Sequence, residues 1–220
     1  MKVFLGVGHG GNDPGAVANN VKEKDLNLSI ALACRDVLEK HGVAVKMSRA
    51  KDENDPIGEE VNECNAYGPD FAVDIHNNAG GGDGGEVFYH HGGGKGKTLA
   101  ENILAEMVKV GQNSRGIKTR VNSQGKDYYA FIRNTSCPAV IVECAFVDNA
   151  TDLQILSTED KRKAMGVAIA KGILKTLGVE IQATKGYWKV QVGACLYRES
   201  AEALQKKIKA VGFDAFIVKE

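Results

Sequence analysis

Apolar positions in the first 180 residues follow two patterns, short continuous runs and helical spacings. The runs are typical of buried strands, whereas apolar residues that recur every three or four positions predict amphipathic helices. The predicted helices cover residues 25–40, 56–67, 98–110 and 161–177. The predicted strands begin at Val3, Val43, Phe71, Glu86 and Ala139. Strands that alternate with helices predict an α/β fold, with a twisted, largely parallel sheet flanked by helices on both faces.

The pattern changes after Gly178. Residues 179–185 form a short polar linker, and an alternating strand is predicted at 187–194. A helix at 200–211 and a second strand at 215–218 complete a small βαβ (α+β) module. We therefore expect a main domain at 1–178 and a separate module at 186–220.

Composition and charge narrow the class of protein. The 220 residues include 43% hydrophobic and 25% charged residues, with 28 basic against 28 acidic side chains, which points to no nucleic-acid or membrane partner. The apolar part of residues 1–5 is too short for a signal peptide. The five cysteines are scattered without a CxxC pair, as in reduced thiols of a cytosolic protein. We expect synthesis in the cytoplasm without an export signal.

Three predicted strands lead into residues that carry chemistry: His9, His76 and Glu143. Strands of such a sheet deliver these side chains to one edge, where sites are usually built. Two histidines with one carboxylate and an open position form a catalytic zinc set, which suits amide hydrolysis. A further carboxylate must then move the water proton, and Glu143 suits that role because burial raises a carboxyl pKa. Taken alone, Glu23 is better explained as a first-turn helix acid that the helix macrodipole favours.

Other chemistry-bearing residues receive simpler interpretations. His41 is a cation at a helix C-terminus and is rejected as a ligand. His90 and His91 follow a strand and could bind metal, although a solvated loop is the favoured interpretation. Cys144 has apolar neighbours, which favours a buried structural thiol over a nucleophile.

Several ordered motifs lie within residues 1–177: GHGGNDPGA at 8–16, EKDLNL at 23–28, SR at 48–49, IHNNA at 75–79 and PAVIVECAFVDN at 138–149. Together they closely resemble the zinc-dependent N-acetylmuramoyl-L-alanine amidases of the amidase-3 family. The resemblance implies Zn²⁺ as cofactor, with His9, Glu23 and His76 as ligands and Glu143 as the catalytic glutamate. It also implies hydrolysis of the amide between the lactyl group of N-acetylmuramic acid and L-alanine. Asn78, in the IHNNA motif, is a candidate substrate contact.

The chain departs from the family pattern at a few positions. Gly6-Val7 stands where Asp-Pro is usual, Glu60 where an arginine is usual, and Asp74 where a serine is usual. Cys64-Asn65 replaces Ala-Asn. None of these departures replaces a proposed ligand, and all of them concern residues around the ligands.

The tail carries the motif YWKVQVGA at 187–194. This motif resembles half of a sporulation-related (SPOR) repeat, a module that binds peptidoglycan glycan strands in its family. Alternation along the strand turns Tyr187, Lys189 and Gln191 outward, where they suit sugar contacts. The alternative is that they are ordinary surface residues. A lone βαβ unit of this size is marginal in water, so we predict that residues 186–220 pair two chains into a homodimer.

These patterns together predict a peptidoglycan amidase that binds its substrate wall through the tail. Two alternatives stay open: another zinc amidohydrolase or carboxypeptidase that acts on the stem peptide, and a wall-binding protein whose catalytic half is inert. Without an export signal, the enzyme would act on the bacterial wall after release or lysis. A phage endolysin and an autolysin of mother-cell lysis both fit this setting.

Overall fold

The computed structural model describes residues 1–181, 192–213 and 215–217. The chain divides into two compact units, Met1–Ile181 and Gln182–Glu220. The described part of the second unit contains one helix, Arg198–Ala210, close to the helix expected at 200–211. Most of the strand predicted at 187–194 lies outside the described residues. The described remainders of the two predicted tail strands, 192–194 and 215–217, have no regular secondary structure.

The first unit contains eight strands and five α-helices. The strands are β1 Lys2–Val7, β2 Val17–Ala18, β3 Val21–Lys22, β4 Ala44–Met47, β5 Phe71–Asn78, β6 Gly85–Tyr89, β7 Ser114–Lys118 and β8 Ala139–Phe146. The helices are α1 Glu23–Lys40, α2 Ile57–Tyr67, α3 Lys95–Lys109, α4 Ala130–Asn134 and α5 Glu159–Leu177, with a 3₁₀ helix at Asp152–Leu156. Among the helices in the described residues, none is both long enough and apolar enough to cross a membrane.

Six strands form one sheet in the order β4-β1-β5-β8-β6-β7. The pairs β4–β1, β1–β5, β5–β8 and β6–β7 are parallel, and β6 runs antiparallel to β8. The short β2–β3 hairpin stands apart from this sheet. The expectation of a largely parallel sheet is confirmed.

The two faces of the sheet carry separate apolar cores. Val3 and Leu5 of β1 belong to a large core with α1, α3 and α5, whereas Phe4 between them belongs to a smaller core with α2 and α4. This division follows from the two-residue period of a strand. The predicted arrangement of helices on both faces is therefore confirmed.

The same alternation places polar residues on the smaller face. In β5, Ala72 packs in the α2/α4 core, and Asp74 and His76 follow it at two-residue intervals. In β8, Glu143 follows Ile141 in the same way. This face is thus apolar at one end of the sheet and polar at the other.

Some boundaries differ from the sequence-based expectation. His76 and Glu143 do not end their strands, because β5 continues to Asn78 and β8 to Phe146. The hairpin β2–β3, the edge strand β7 and the short helix α4 had no counterpart in the prediction. Each is short or polar and lacks a clear apolar period.

Helix α5 packs closely between two neighbours through two glycines. A Cβ at Gly166 would lie 2.4 Å from the carbonyl oxygen of Ile30 in α1, and one at Gly172 would lie 2.5 Å from Cα of Ile103 in α3. Both obstacles are backbone atoms. A side chain at Gly166 would therefore keep α1 farther from α5, and one at Gly172 would keep α3 farther from α5.

Gly166→Ala should therefore destabilise the fold, by about 1–3 kcal/mol, the usual cost of overpacking a core. Gly58→Ala is the matched control, because Gly58 lies in α2 with no atom within 4 Å of the added Cβ. The control should be neutral or stabilising, since alanine favours helix by up to about 1 kcal/mol over glycine. Urea midpoints measure both effects. Equal midpoints for the two variants would contradict the packing argument.

Candidate metal centre and active site

His9 stands immediately beyond β1 in an unusual backbone conformation. Its φ is +63°, in the left-handed region that non-glycine residues seldom occupy, and Gly10 and Gly11 also have positive φ. Such conformations persist where the surrounding structure imposes them, often at functional sites. The tight turn directs the His9 ring back toward the sheet edge.

Glu23 bridges the two histidines that the sequence singled out. Its Oε2 lies 3.2 Å from His9 Nε2, and its Oε1 lies 3.0 Å from His76 Nδ1. One ligand atom from each of the three residues lies within 4.8 Å of the others. The two rings meet edge to face, with centroids 5.1 Å apart. Glu23 is thus both the first residue of α1 and a member of the site, although it is only 4% exposed.

Glycines make room for this cluster. A Cβ at Gly8 would lie 2.1 Å from His76 Cε1, and one at Gly15 would lie 2.6 Å from both Glu23 Oε2 and His9 Cδ2. The glycine-rich loop is therefore needed for close approach, as its sequence indicated.

Each histidine has a second carboxylate on its outer nitrogen. Asp13 Oδ2 lies 2.8 Å from His9 Nδ1, and Asp74 Oδ2 lies 3.1 Å from His76 Nε2. A carboxylate behind a histidine fixes the tautomer and orients the ring, as in the outer partners of metal-binding histidines. Neither aspartate was predicted to have this role. The only signals available were the i,i+4 spacing of His9 and Asp13 and the i,i+2 spacing of Asp74 and His76.

One buried cation holds the loop in place by donating hydrogen bonds to backbone carbonyl groups. Arg49, 2% exposed, donates from Nε to the Val7 carbonyl at 3.0 Å and from Nη2 to the carbonyls of Gly8 and Lys24 at 3.2 and 2.9 Å. It therefore ties the end of β1 to the start of α1, the two segments that supply His9 and Glu23.

The electrostatics favour a cation among these groups. Burial opposes ionisation of Glu23, but hydrogen bonds from His76 and His9 more than offset it and hold its pKa well below the usual range. The hydrogen bond to Glu23 raises the pKa of His9. Burial opposes protonation of His76, yet Asp74 and Glu23 raise its pKa well above the usual value. A divalent metal can replace the protons that this set attracts, and two imidazoles with one carboxylate match the donors that zinc prefers.

Glu143 lies beside the cluster on the neighbouring strand, in register with His76. Burial raises its pKa to about 7, and its buried Oε2 has no hydrogen-bond partner. An unpaired buried carboxyl oxygen is costly and is expected where a group must exchange a proton.

The other candidate site residues lie outside this cluster or are held by other contacts. His41 caps the end of α1, with its Nδ1 2.8 Å from the Val37 carbonyl. Cys144 is fully buried, and burial raises its pKa well above the usual value, as expected for a structural thiol. Asn78 donates to Glu86 Oε1 at 3.0 Å, so its amide is held by protein. Tyr187, Lys189 and Gln191 lie outside the described residues.

His90 and His91 are more ordered than the solvated loop we expected. Both rings contact Oδ2 of buried Asp127, at 3.0 and 2.8 Å, beside a cavity of about 580 Å³. The Gly92 N–H donates to Nδ1 of His90, so the neutral ring carries its proton on Nε2 and donates it to Asp127. A metal at Nε2 would need the opposite tautomer, and the contacts favour a hydrogen-bonded trio instead.

The family model described as N-acetylmuramoyl-L-alanine amidase matches residues 3–175, and the SPOR domain model matches residues 153–219. The SPOR match reaches back across α5, so the two matches share residues 153–175. In the structure those shared residues belong to the first unit.

Named relatives agree with this assignment. The sporulation-specific N-acetylmuramoyl-L-alanine amidase of Bacillus subtilis is 33% identical over 99% of this chain and 84% of the relative. The endolysin of Bacillus phage SPP1 is 33% identical over 81% of this chain and 66% of the relative. Among solved structures, Cwp6 from Clostridium difficile is similar with a TM-score of 0.79, at 39% identity over 80% of this chain and 29% of that one. The CwlV catalytic domain from Bacillus (Paenibacillus) polymyxa has a TM-score of 0.73, at 27% identity over 81% of this chain and 99% of that one. The chain belongs to the N-acetylmuramoyl-L-alanine amidase family.

Proposed function

We propose that this protein is a zinc-dependent amidase that hydrolyses the bond between the lactyl group of N-acetylmuramic acid and L-alanine in peptidoglycan. The observation that carries the proposal is the meeting of His9, Glu23 and His76 within 4.8 Å, beside the unpaired Oε2 of Glu143. Membership of the amidase family supports the choice of bond. It also favours this reaction over the alternatives of a stem-peptide carboxypeptidase and an inert wall-binding protein.

The roles follow from position and charge. His9, Glu23 and His76 would hold the zinc, which supplies a Lewis acid for the amide carbonyl and lowers the pKa of water. Glu143 takes the proton of the attacking water and returns it to the leaving amine of L-alanine. A carboxyl with a pKa of about 7 can both accept and release a proton near neutral pH. Asp13 and Asp74 keep the two imidazoles in the orientation that ligation requires.

The SPOR match supports a role for the C-terminal unit in holding the enzyme on peptidoglycan. Contacts from Tyr187, Lys189 and Gln191 to glycan strands stay predictions. Action on the bacterial wall after release or lysis is likewise proposed. The relatives include both an endolysin and a sporulation-specific amidase, so both settings fit.

The site formed by His9, Glu23 and His76 should bind one zinc ion per molecule of purified chain. Chelation of this ion should abolish wall lysis. His76→Ala should remove the bound zinc, because it deletes a ligand. His41→Ala and His90→Ala should retain it, since neither residue contacts the site. Elemental analysis and turbidity assays on purified walls measure these outcomes. Full lysis by protein shown to be metal-free, or a second zinc ion lost only in His90→Ala, would overturn the assignment.

Glu143→Gln should keep zinc and lose activity, by about 10²–10⁴-fold for a general acid–base group. Glu23→Gln should instead weaken zinc binding, because it removes a ligand charge. Digested walls should show new N-terminal L-alanine without new reducing ends. If Glu143→Gln lost zinc and Glu23→Gln kept it, the two roles would have to be exchanged. New reducing ends would mean that the enzyme cleaves glycan.

We further propose that two chains pair through residues 186–220. Among described residues of the second unit, Leu196, Val211 and Phe213 are 98%, 70% and 69% exposed, which is unusual for apolar side chains of a stable isolated module. Light scattering should show a dimer for the full chain and a monomer for a chain ending at Leu177. Tethering two active sites to one wall-bound platform would raise their effective concentration on substrate. A monomeric full chain at micromolar concentration would refute the pairing.

A further inference from the structure

Two cations share one buried carboxylate on the strand beside Glu143. Glu86 of β6 is 4% exposed; Arg115 Nε donates to its Oε2 at 2.7 Å, and Lys118 Nζ donates to the same oxygen. The other oxygen, Oε1, accepts a hydrogen bond from Asn78. Burial opposes ionisation of Glu86, but hydrogen bonds from Lys118 and Arg115 hold its pKa below the usual value. The cluster of Glu86, Arg115 and Lys118 therefore has two positive charges against one negative charge.

A β-bulge in β7 brings both cations to the same face of the sheet. Residues three apart in a regular strand point to opposite faces, yet Arg115 and Lys118 both contact Glu86. Opposite Glu86, β7 contains one extra residue relative to β6, and Gly116 at this point has a φ of +85°. Bulges redirect side chains and are frequent beside active sites. One cation would be enough to pair with Glu86, so the second adds positive charge that no carboxylate of the cluster balances.

The guanidinium of Arg115 is held on two sides and keeps its outer donors free. Its Cζ lies 4.9 Å from the centroid of the Phe146 ring, and its Nε donates to Glu86. Within the part of the chain that the structure describes, neither Nη atom of Arg115 has a hydrogen-bond partner, and the side chain is 36% exposed. The N–H groups of such a fork match the two oxygens of a carboxylate.

This cluster lies next to the group that moves the proton in the proposed reaction. Glu86 is the register partner of Glu143 in the antiparallel pair of β6 and β8. Residues directly opposite in such a pair have Cβ atoms about 4.5–5.5 Å apart on the same face. Glu143 returns a proton to the amine of L-alanine, so this amine must lie beside it. Consecutive Cα atoms of a peptide are about 3.8 Å apart, which brings the next residues of the stem peptide within reach of the cluster.

We propose that Arg115 and Lys118, held in place by Glu86, bind a carboxylate of the stem peptide on the L-alanine side of the scissile bond. This inference rests on the proposed amidase function. The peptide supplies the carboxylate, because the lactyl acid of the substrate is already part of the amide and the sugars carry no other acid. The subsite makes the enzyme selective for stem peptides whose carboxyl groups are free over those in which they are amidated.

Purified walls provide both forms of the substrate for a test on the unmodified chain. Walls freed of phosphate polymers carry free carboxylates, and carbodiimide coupling with ammonia converts these groups to amides. Loss of a charged hydrogen-bond partner weakens binding about 10–100-fold, so the half-saturating concentration should rise by that factor on amidated walls. The maximal rate should change little, because this contact is made before and during the reaction alike. Equal half-saturating concentrations for the two walls would overturn the subsite.

Variants separate the subsite from general effects of amidation on wall binding. Arg115→Gln should show almost no preference for untreated walls, and Lys118→Gln a reduced one, while the remaining cation keeps Glu86 paired. Arg35→Gln is the matched control, because Arg35 is 30% exposed at its side chain and pairs with Asp36 in α1. It should keep the wild-type preference. A wild-type preference in Arg115→Gln, or loss of the preference in Arg35→Gln, would overturn the subsite.

Zinc content and product analysis tell a failure of this inference from a failure of the proposed function. Wild type and all three variants should bind zinc equally and release new N-terminal L-alanine, since none of the changes removes a ligand or Glu143. Release of a C-terminal amino acid from the stem peptide instead would show a carboxypeptidase. That result, or no cleavage of either wall by zinc-loaded wild type, would overturn the amidase function and this inference with it.

Discussion

The carboxylate of Glu23 is the interaction on which this structure depends. A charged group that is 4% exposed is costly to bury unless every lone pair has a partner. Here one oxygen faces His9 and the Ala16 N–H, and the other faces His76 and the Asn77 N–H. Those partners come from the loop after β1 and from the C-terminal end of β5, and Glu23 itself begins α1. The carboxylate can be satisfied only when all three segments are in place.

The two faces of the sheet have different roles: one mainly stabilises the fold, and the other carries the residues of the site. The large core with α1, α3 and α5 is apolar and holds the helices by close packing, including the glycine contacts of α5. The smaller face begins with Phe4, Ala72 and Ile141 and turns polar toward the site. Carboxylates such as Asp74 and Glu143 would weaken the first core, but on the second they set ligand orientation and proton affinity. Arg49 links the segments that carry His9 and Glu23 by hydrogen bonds to their backbone carbonyl groups.

Periodicity was enough to predict the main helices and strands, because Leu26, Ile30, Cys34 and Leu38 of α1 are buried at the spacing that a helix requires. The edge strand β7 was missed because Ser114–Lys118 is mostly polar and pairs with only one neighbour. His9 and His76 could be paired because each was predicted to follow a buried strand of the same sheet. Glu23 could not be assigned from the residues themselves, since a helix-start acid and a ligand look the same in sequence, and the motif resemblance identified it. The close approach of Glu60 and Asp74 to Gly6 depends on the register between β1 and β5 and on where α2 packs, which no local pattern encodes.

The wide spacing of the ligands along the chain has a thermodynamic consequence. Glu23 and His76 are 53 positions apart, yet both belong to the same candidate metal centre. A bound ion therefore acts as a cross-link that closes a long loop, and the unfolded chain, in which this loop is open, offers no comparable site. Binding energy at the centre is then also folding energy for β1, α1 and β5, and it rises by about 1.4 kcal/mol for each tenfold excess of ion over its dissociation constant. An ion that supported hydrolysis at this centre would therefore also hold this edge of the sheet together.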